Sequence, residues 1–167
     1  MLTVLDHGRE YSFTFEEMLK YHGPIAPGGV AHAYKVMERA FAHLCPNTPP
    51  SRHDIRIETS FGGPGARDAF EVITRAVTSE RYIVDKKFAK PFVNFGYRSR
   101  YIFRLFYGED MVTLMLREGM VREEFLALGA KKDRSADENI HLAWLKEEMT
   151  ARLMSHHASA VYDIVES

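Results

Sequence analysis

Cysteine is almost missing from this chain. Cys45 is the single one in 167 residues. An intramolecular disulfide is therefore excluded, and so is a zinc finger built on several thiolates. Cys45 stands before Pro46-Asn47 at an expected helix end and reads as a packing residue. An excess of either charge is missing too. Twenty-two Lys and Arg face 23 Asp and Glu, for a net charge of −1. That balance gives no global pull toward nucleic acid, and no nucleic-acid-binding module is recognisable. No apolar run reaches the roughly 18 residues that a membrane span needs. The opening Met1-Leu2-Thr3-Val4-Leu5-Asp6 has no basic segment leading into an apolar one. The expectation is a cytoplasmic protein with no membrane and no nucleic-acid partner. Internal repeats and low-complexity segments are absent as well.

What is present is an ordinary globular composition, 46% hydrophobic and 27% charged. It suffices for a real core in one domain spanning 1–167. Thr14-Phe15-Glu16-Glu17 is a capping box that starts a short helix, ending near His22-Gly23-Pro24. Pro27-Gly28-Gly29 opens a second helix. Its apolar face is Val30, Tyr34, Met37, Phe41 and Leu44, with His32 and Lys35 off that face. Asp54 to Thr59 alternates like a half-buried strand, and Phe61-Gly62-Gly63-Pro64-Gly65 is a tight turn. A third helix follows, with Ala66, Phe70, Ile73 and Val77 on one side. Arg81 to Phe88 reads as a strand. Tyr101–Phe106 and Met111–Leu116 read as a hairpin closed at Tyr107-Gly108-Glu109-Asp110. Arg122 to Leu128 is a short helix.

Ser135-Ala136-Asp137-Glu138 is another capping box, and a last helix is expected over 136–165. Its stripe of Leu142, Leu145, Met149, Leu153, His156, Ala160 and Ile164 is too long for one small domain to bury. A homodimer through Leu142, Leu145, Met149 and Leu153 is the expected consequence. The fold class is α+β: a small, mostly antiparallel sheet packed with helices, plus a long C-terminal helix.

Two segments resemble the FmdE family, a family of formylmethanofuran dehydrogenase subunits. That family carries His-Gly-His-x-Cys-Pro-Gly between two N-terminal helices, where this chain has His22-Gly23-Pro24-Ile25-Ala26-Pro27-Gly28. It also carries Cys-Gly-x-Asp-Ala between a strand and a helix, where this chain has Gly65-Ala66-Arg67-Asp68-Ala69. Phe95-Gly96-Tyr97 before the hairpin resembles the family's Tyr-Gly-Lys. The resemblance covers about residues 14–118. It implies an accessory or ligand-binding protein of one-carbon or related anaerobic metabolism. Both motif cysteines are replaced, by Ala26 and Gly65, and the family's zinc-finger tail has no counterpart. The resemblance implies a metal held by histidine and cysteine, and His22 alone survives from that set. Asp68 would be a second ligand, and His32 a third if the fold brings it near. A zinc site needs at least three protein ligands, so zinc is expected to be absent or weakly held.

The residues themselves offer chemistry with alternatives. Gly62, Gly63 and Gly65 sit before a helix N-terminus, where free amides can take an anion, or they simply make a turn. Arg67 and Asp68 follow in that helix. Asp68 is either a first-turn carboxylate that suits the helix dipole or a polar contact in a pocket facing His22. His22, at a helix break, can be a general base, a ligand or a C-terminal cap. As a catalytic pair, His22 would be base and Asp68 its orienting group. Lys86, Lys87, Lys90, Arg98, Arg100 and Arg104 are interleaved with Phe92, Phe95, Tyr97 and Tyr101. They form either a solvated strand face or a surface for a carboxylated or phosphorylated cofactor with a flat ring, with Tyr97 and Arg98 as candidate contacts. The accessory-protein expectation places a small anionic or pterin-like ligand between the His22 loop and the Gly62–Asp68 turn. His156-His157 reads as a solvated helix end, because adjacent helical residues diverge by about 100°. Besides an enzyme and a binding protein, a structural component of a larger complex is a third expectation.

Overall fold

A computed structural model describes residues 1–165. The architecture is α+β, as its sequence pattern leads one to expect. β1 (Leu2–Asp6) and β2 (Arg9–Phe13) form an antiparallel hairpin turned at His7-Gly8, both with positive φ. α1 (Phe15–His22) starts on the Thr14–Glu17 capping box, with both reciprocal bonds made. It stops at Gly23, whose φ of 89° suits glycine.

α2 (Pro27–Leu44) is the central helix. It packs against α1, α3, α5 and the sheet, so it is covered on several sides. His32 and Lys35, expected off the apolar face, are therefore buried. An apolar stripe identifies one packed face of a helix but does not exclude neighbours on the others. Lys35 keeps its charge matched by Glu38 at 2.9 Å.

β3 (Ile55–Thr59) leads through the glycine turn into α3 (Pro64–Thr74) and on to β4 (Tyr82–Val84). β3 and β4 run parallel, with α3 as the crossover. α3 ends at Arg75 in a left-handed cap, which leaves Val77 outside it. The strand expected over Arg81–Phe88 is confined to β4. Asp85 caps the amide of Lys87 and starts a run of 3-10 turns over Lys86–Arg100, with Pro91 inside. β5 (Ile102–Tyr107) and β6 (Asp110–Leu116) make the expected hairpin. α4 (Glu123–Ala130) precedes α5 (Ala136–Ser155), which starts on the Ser135–Glu138 capping box.

The C-terminal helix is shorter than expected. It ends at Ser155; His156 and His157 are extended, and α6 (Ala158–Val161) is a single turn. β7 (Tyr162–Val165) then pairs antiparallel with β6. The main sheet has the order β4-β3-β5-β6-β7 and is antiparallel except at β3–β4. The 3.6-residue spacing continued by chance past the break, so periodicity alone did not reveal a strand there. The stripe expected at a dimer contact is buried within its own chain. Leu142, Leu145, Met149 and Leu153 are 6%, 1%, 5% and 0% exposed, and α5 packs against α2. That stripe asks for no second copy of the chain. No helix among the described residues is long and apolar enough to cross a membrane.

Candidate functional site

The two blocks expected to share a site do meet. His22 ends α1, and its Nδ1 lies 2.8 Å from Asp68 Oδ2 in α3. A carboxylate can only accept, so Nδ1 carries the proton and donates it. The His22 side chain is 6% exposed and that of Asp68 27%. Arg67 Nη1 is 3.6 Å from the other carboxylate oxygen. His22 Nε2 is buried with no hydrogen-bond partner among the described residues. The pair clamps the end of α1 onto α3, and an Asp-oriented imidazole is also the arrangement of a general base.

The glycine turn divides its residues between two spaces. A cleft of about 490 Å³ is lined by Ser60, Phe61, Gly62, Lys86, Ala89, Arg100, Tyr101 and Leu126. Lys86 and Arg100 make no ion pair among the described residues, so two cations stand free on its rim. A smaller cavity of about 160 Å³ lies where the starts of α2 and α3 converge. Ala26, Gly28 and Gly29 line it from one helix, Gly63 and Gly65 from the other, with His32, Phe61, Tyr101, Phe125, Lys146 and Met149 around them. Phe61 and Tyr101 belong to both. Their rings stack at 5.1 Å and 26°, forming the wall between the two spaces.

Gly65 has a packing duty besides. A Cβ there would run into the Ala26 carbonyl oxygen and sit 3.0 Å from the Val30 amide. The missing side chain lets α2 and α3 cross nearly backbone to backbone. Where the resemblance would place cysteine, this crossing has no room for one.

Sequence reasoning named His32 only as a conditional third metal ligand and missed Tyr162, its partner in the fold. His32 Nδ1 is 2.7 Å from Tyr162 Oη, across 130 residues of chain. Both residues are buried, at 1% and 0% exposure. His32 also stacks on Tyr101 at 4.7 Å and 29°. Burial drives the imidazole pKa down to about 3, so it is neutral. Burial raises the Tyr162 phenol well above its usual range, so that hydroxyl keeps its proton. Among the described residues His32 is the one side-chain partner of that hydroxyl, and the arrangement that leaves fewest buried groups unpaired has Tyr162 donate to Nδ1. The imidazole proton then sits on Nε2, which has no partner among the described residues. Burial also pushes the Tyr101 phenol up to about 12.

Other expected contacts are engaged elsewhere. Tyr97 Oη accepts from the Gly119 amide at 3.2 Å. Arg98 Nε donates to the Leu116 carbonyl at 2.7 Å, and its Nη2 is 3.6 Å from Asp163. Arg98 ties the 86–100 segment to β6 and β7, and Tyr97 ties it to the turn after β6. His22, Asp68 and His32 do not gather as three metal ligands among the described residues. The fold instead groups Asp6, His7 and His53 near the first hairpin. Hydrogen bonds from His53 and His7 hold the Asp6 carboxyl down at about 2, and Arg52 Nη1 shares that carboxylate at 3.2 Å. The guanidinium supplies positive charge where a metal would.

A scan against protein-family models finds no match to the chain, and no curated protein matches it.

Proposed function

We propose that this chain is a ligand-binding accessory protein, a divergent relative of the FmdE family of formylmethanofuran dehydrogenase subunits, acting in one-carbon or related anaerobic metabolism. Its ligand is a flat, anionic, pterin-like molecule held in the cleft beside the glycine turn. The observation that carries this reading is the cleft wall. The partly exposed Phe61 ring offers an apolar wall backed by the buried Tyr101, Gly62 an open backbone, and Lys86 and Arg100 positive charge without an ion pair among the described residues. Its volume falls in the roughly 300–1,000 Å³ range of small-molecule sites, unlike the inner cavity. The meeting of His22 with Asp68 supports the resemblance, because the two motifs that carry it come together. Zinc has no part in this reading.

Isothermal titration calorimetry with pterin-6-carboxylate tests it. Saturable binding is expected, and Lys86→Ala with Arg100→Ala should weaken it. Each charge-assisted hydrogen bond removed should cost about 1.5–3 kcal/mol. No heat of binding to the unmodified chain, or equal affinity in the double variant, would sink the reading.

A second reading makes the chain an enzyme with His22 as base, favoured by the Asp68–His22 bond and by an Nε2 with no partner among the described residues. Burial of that nitrogen counts against it, because a substrate could reach it only if the residues covering it moved. Asp68→Asn separates the two. It leaves cleft affinity unchanged under the first reading and removes activity under the second.

A further inference from the structure

α2 and α3 have 18 and 11 residues, and both open on proline followed by glycine. Their N-cap residues are Ala26 and Gly63, and neither makes a side-chain capping bond. First-turn amides of a helix have no intrahelical acceptor, so each start leaves donors to be satisfied from outside. Two such starts line one cavity, and their dipoles both place positive potential in it. An independent feature points to the same space. His32 lines the cavity, is 1% exposed, and has its Nε2 without a partner among the described residues. Unsatisfied buried donors are rare because each costs free energy. Lys146 stands on the same lining from α5 and forms no ion pair among the described residues.

We propose that this inner cavity is a binding site for a small monovalent oxyanion of the carboxylate class. The amides opening α2 and α3 and the Nε2–H of His32 donate to its oxygens, and Lys146 balances its charge. About 160 Å³ is too small for a drug-sized ligand and ample for a carboxylate with a short apolar tail. The remaining walls, Phe61, Tyr101, Phe125 and Met149, suit such a tail. The neutral ring of His32 makes it a donor and not a counter-ion, so one negative charge matches the site better than two. The Phe61–Tyr101 wall separates this site from the cleft, and each proposal stands or falls without the other.

The test is titration of ¹⁵N-labelled protein with sodium acetate, with sodium chloride at equal ionic strength as control, read by NMR. The expected result is a saturable shift of the His32 Nε2–H and of the Gly28, Gly29 and Gly65 amides in acetate alone. His32→Leu should weaken acetate at least tenfold. His32→Gln, which restores a side-chain N–H donor, should recover most of the affinity. Lys146→Gln should weaken it with an unchanged melting temperature, and Lys86→Ala should leave it alone. Shifts that chloride reproduces, no saturation, or unweakened binding to His32→Leu would overturn the proposal. Should His32→Leu not fold, the native ring decides. An Nε2–H resonance that ignores acetate overturns the site, and one that moves saturably supports it.

Discussion

His32 stays uncharged in the folded chain down to about pH 3, while an unfolded chain takes up its proton near 6.5. Between those values the unfolded state binds more protons, so stability falls as the pH falls. Full stability from this residue is present above about 6.5. It is lost progressively toward 3, with a slope approaching about 1.4 kcal/mol per pH unit. Denaturant melts at pH 7, 5.5 and 4.5 should show this loss, and His32→Gln should flatten it. An equal slope in that variant would mean that other groups carry the acid sensitivity. The same residue marks a limit of the sequence. A histidine off an apolar helical stripe reads as solvated. Its burial depends on α5 and β7, neither of which its local pattern can announce. His22 was more legible, because Gly23-Pro24 fixes the helix end on which it sits. Its partner Asp68 came from the order of the motifs and not from any periodicity.

The contact between α2 and α3 turns on two glycine positions. Gly29 and Gly65 lie where each helix meets the other's backbone, so an added methyl meets main chain and not a flexible side-chain end. Gly65→Ala should therefore destabilise the chain by about 1–3 kcal/mol, the usual cost of overpacking. Gly65→Cys should cost more, although cysteine stands there in the resemblance. Gly62→Ala, with nothing nearer its Cβ than Val84 at 3.9 Å, should be near neutral. Thermal melts of the three variants check the order. A tolerated Gly65→Cys would mean that the crossing relaxes, and would reopen a cysteine-based site. Glycine in the sequence was legible as a turn. Which glycine serves the turn and which serves helix packing was not, since that depends on what the fold lays against it. The capping boxes at Thr14 and Ser135 were legible, because every group in them lies within four residues.

Molecular integrity rests on β7 returning under α2. Tyr162 pairs with Leu116 in the sheet, fills the core at 0% exposure, and bonds His32 from the opposite end of the chain. None of this could be read from residues 158–164, whose spacing continues the helix before them. The break at His156-His157 comes from backbone that leaves helical angles at both residues, each of which then caps a helix end. Two variants separate what this strand contributes. Tyr162→Phe keeps the ring and its packing but removes the donor to His32 Nδ1. It should cost about 1–3 kcal/mol, the penalty for a buried polar group left unpaired. A chain stopped after Val161 loses the ring as well, worth about 3–5 kcal/mol for a large aromatic, together with the β6–β7 ladder. Against a total stability of about 5–15 kcal/mol, that truncation should leave the protein at or near the unfolding threshold. Urea melts followed by circular dichroism should show a cooperative but shifted transition for Tyr162→Phe and a weak or absent one for the truncated chain. If both melt like the parent, β7 is peripheral, and the buried state of His32 does not depend on it. If both collapse alike, the hydrogen bond to His32 carries most of the coupling, and the inner cavity is assembled by that bond more than by strand pairing.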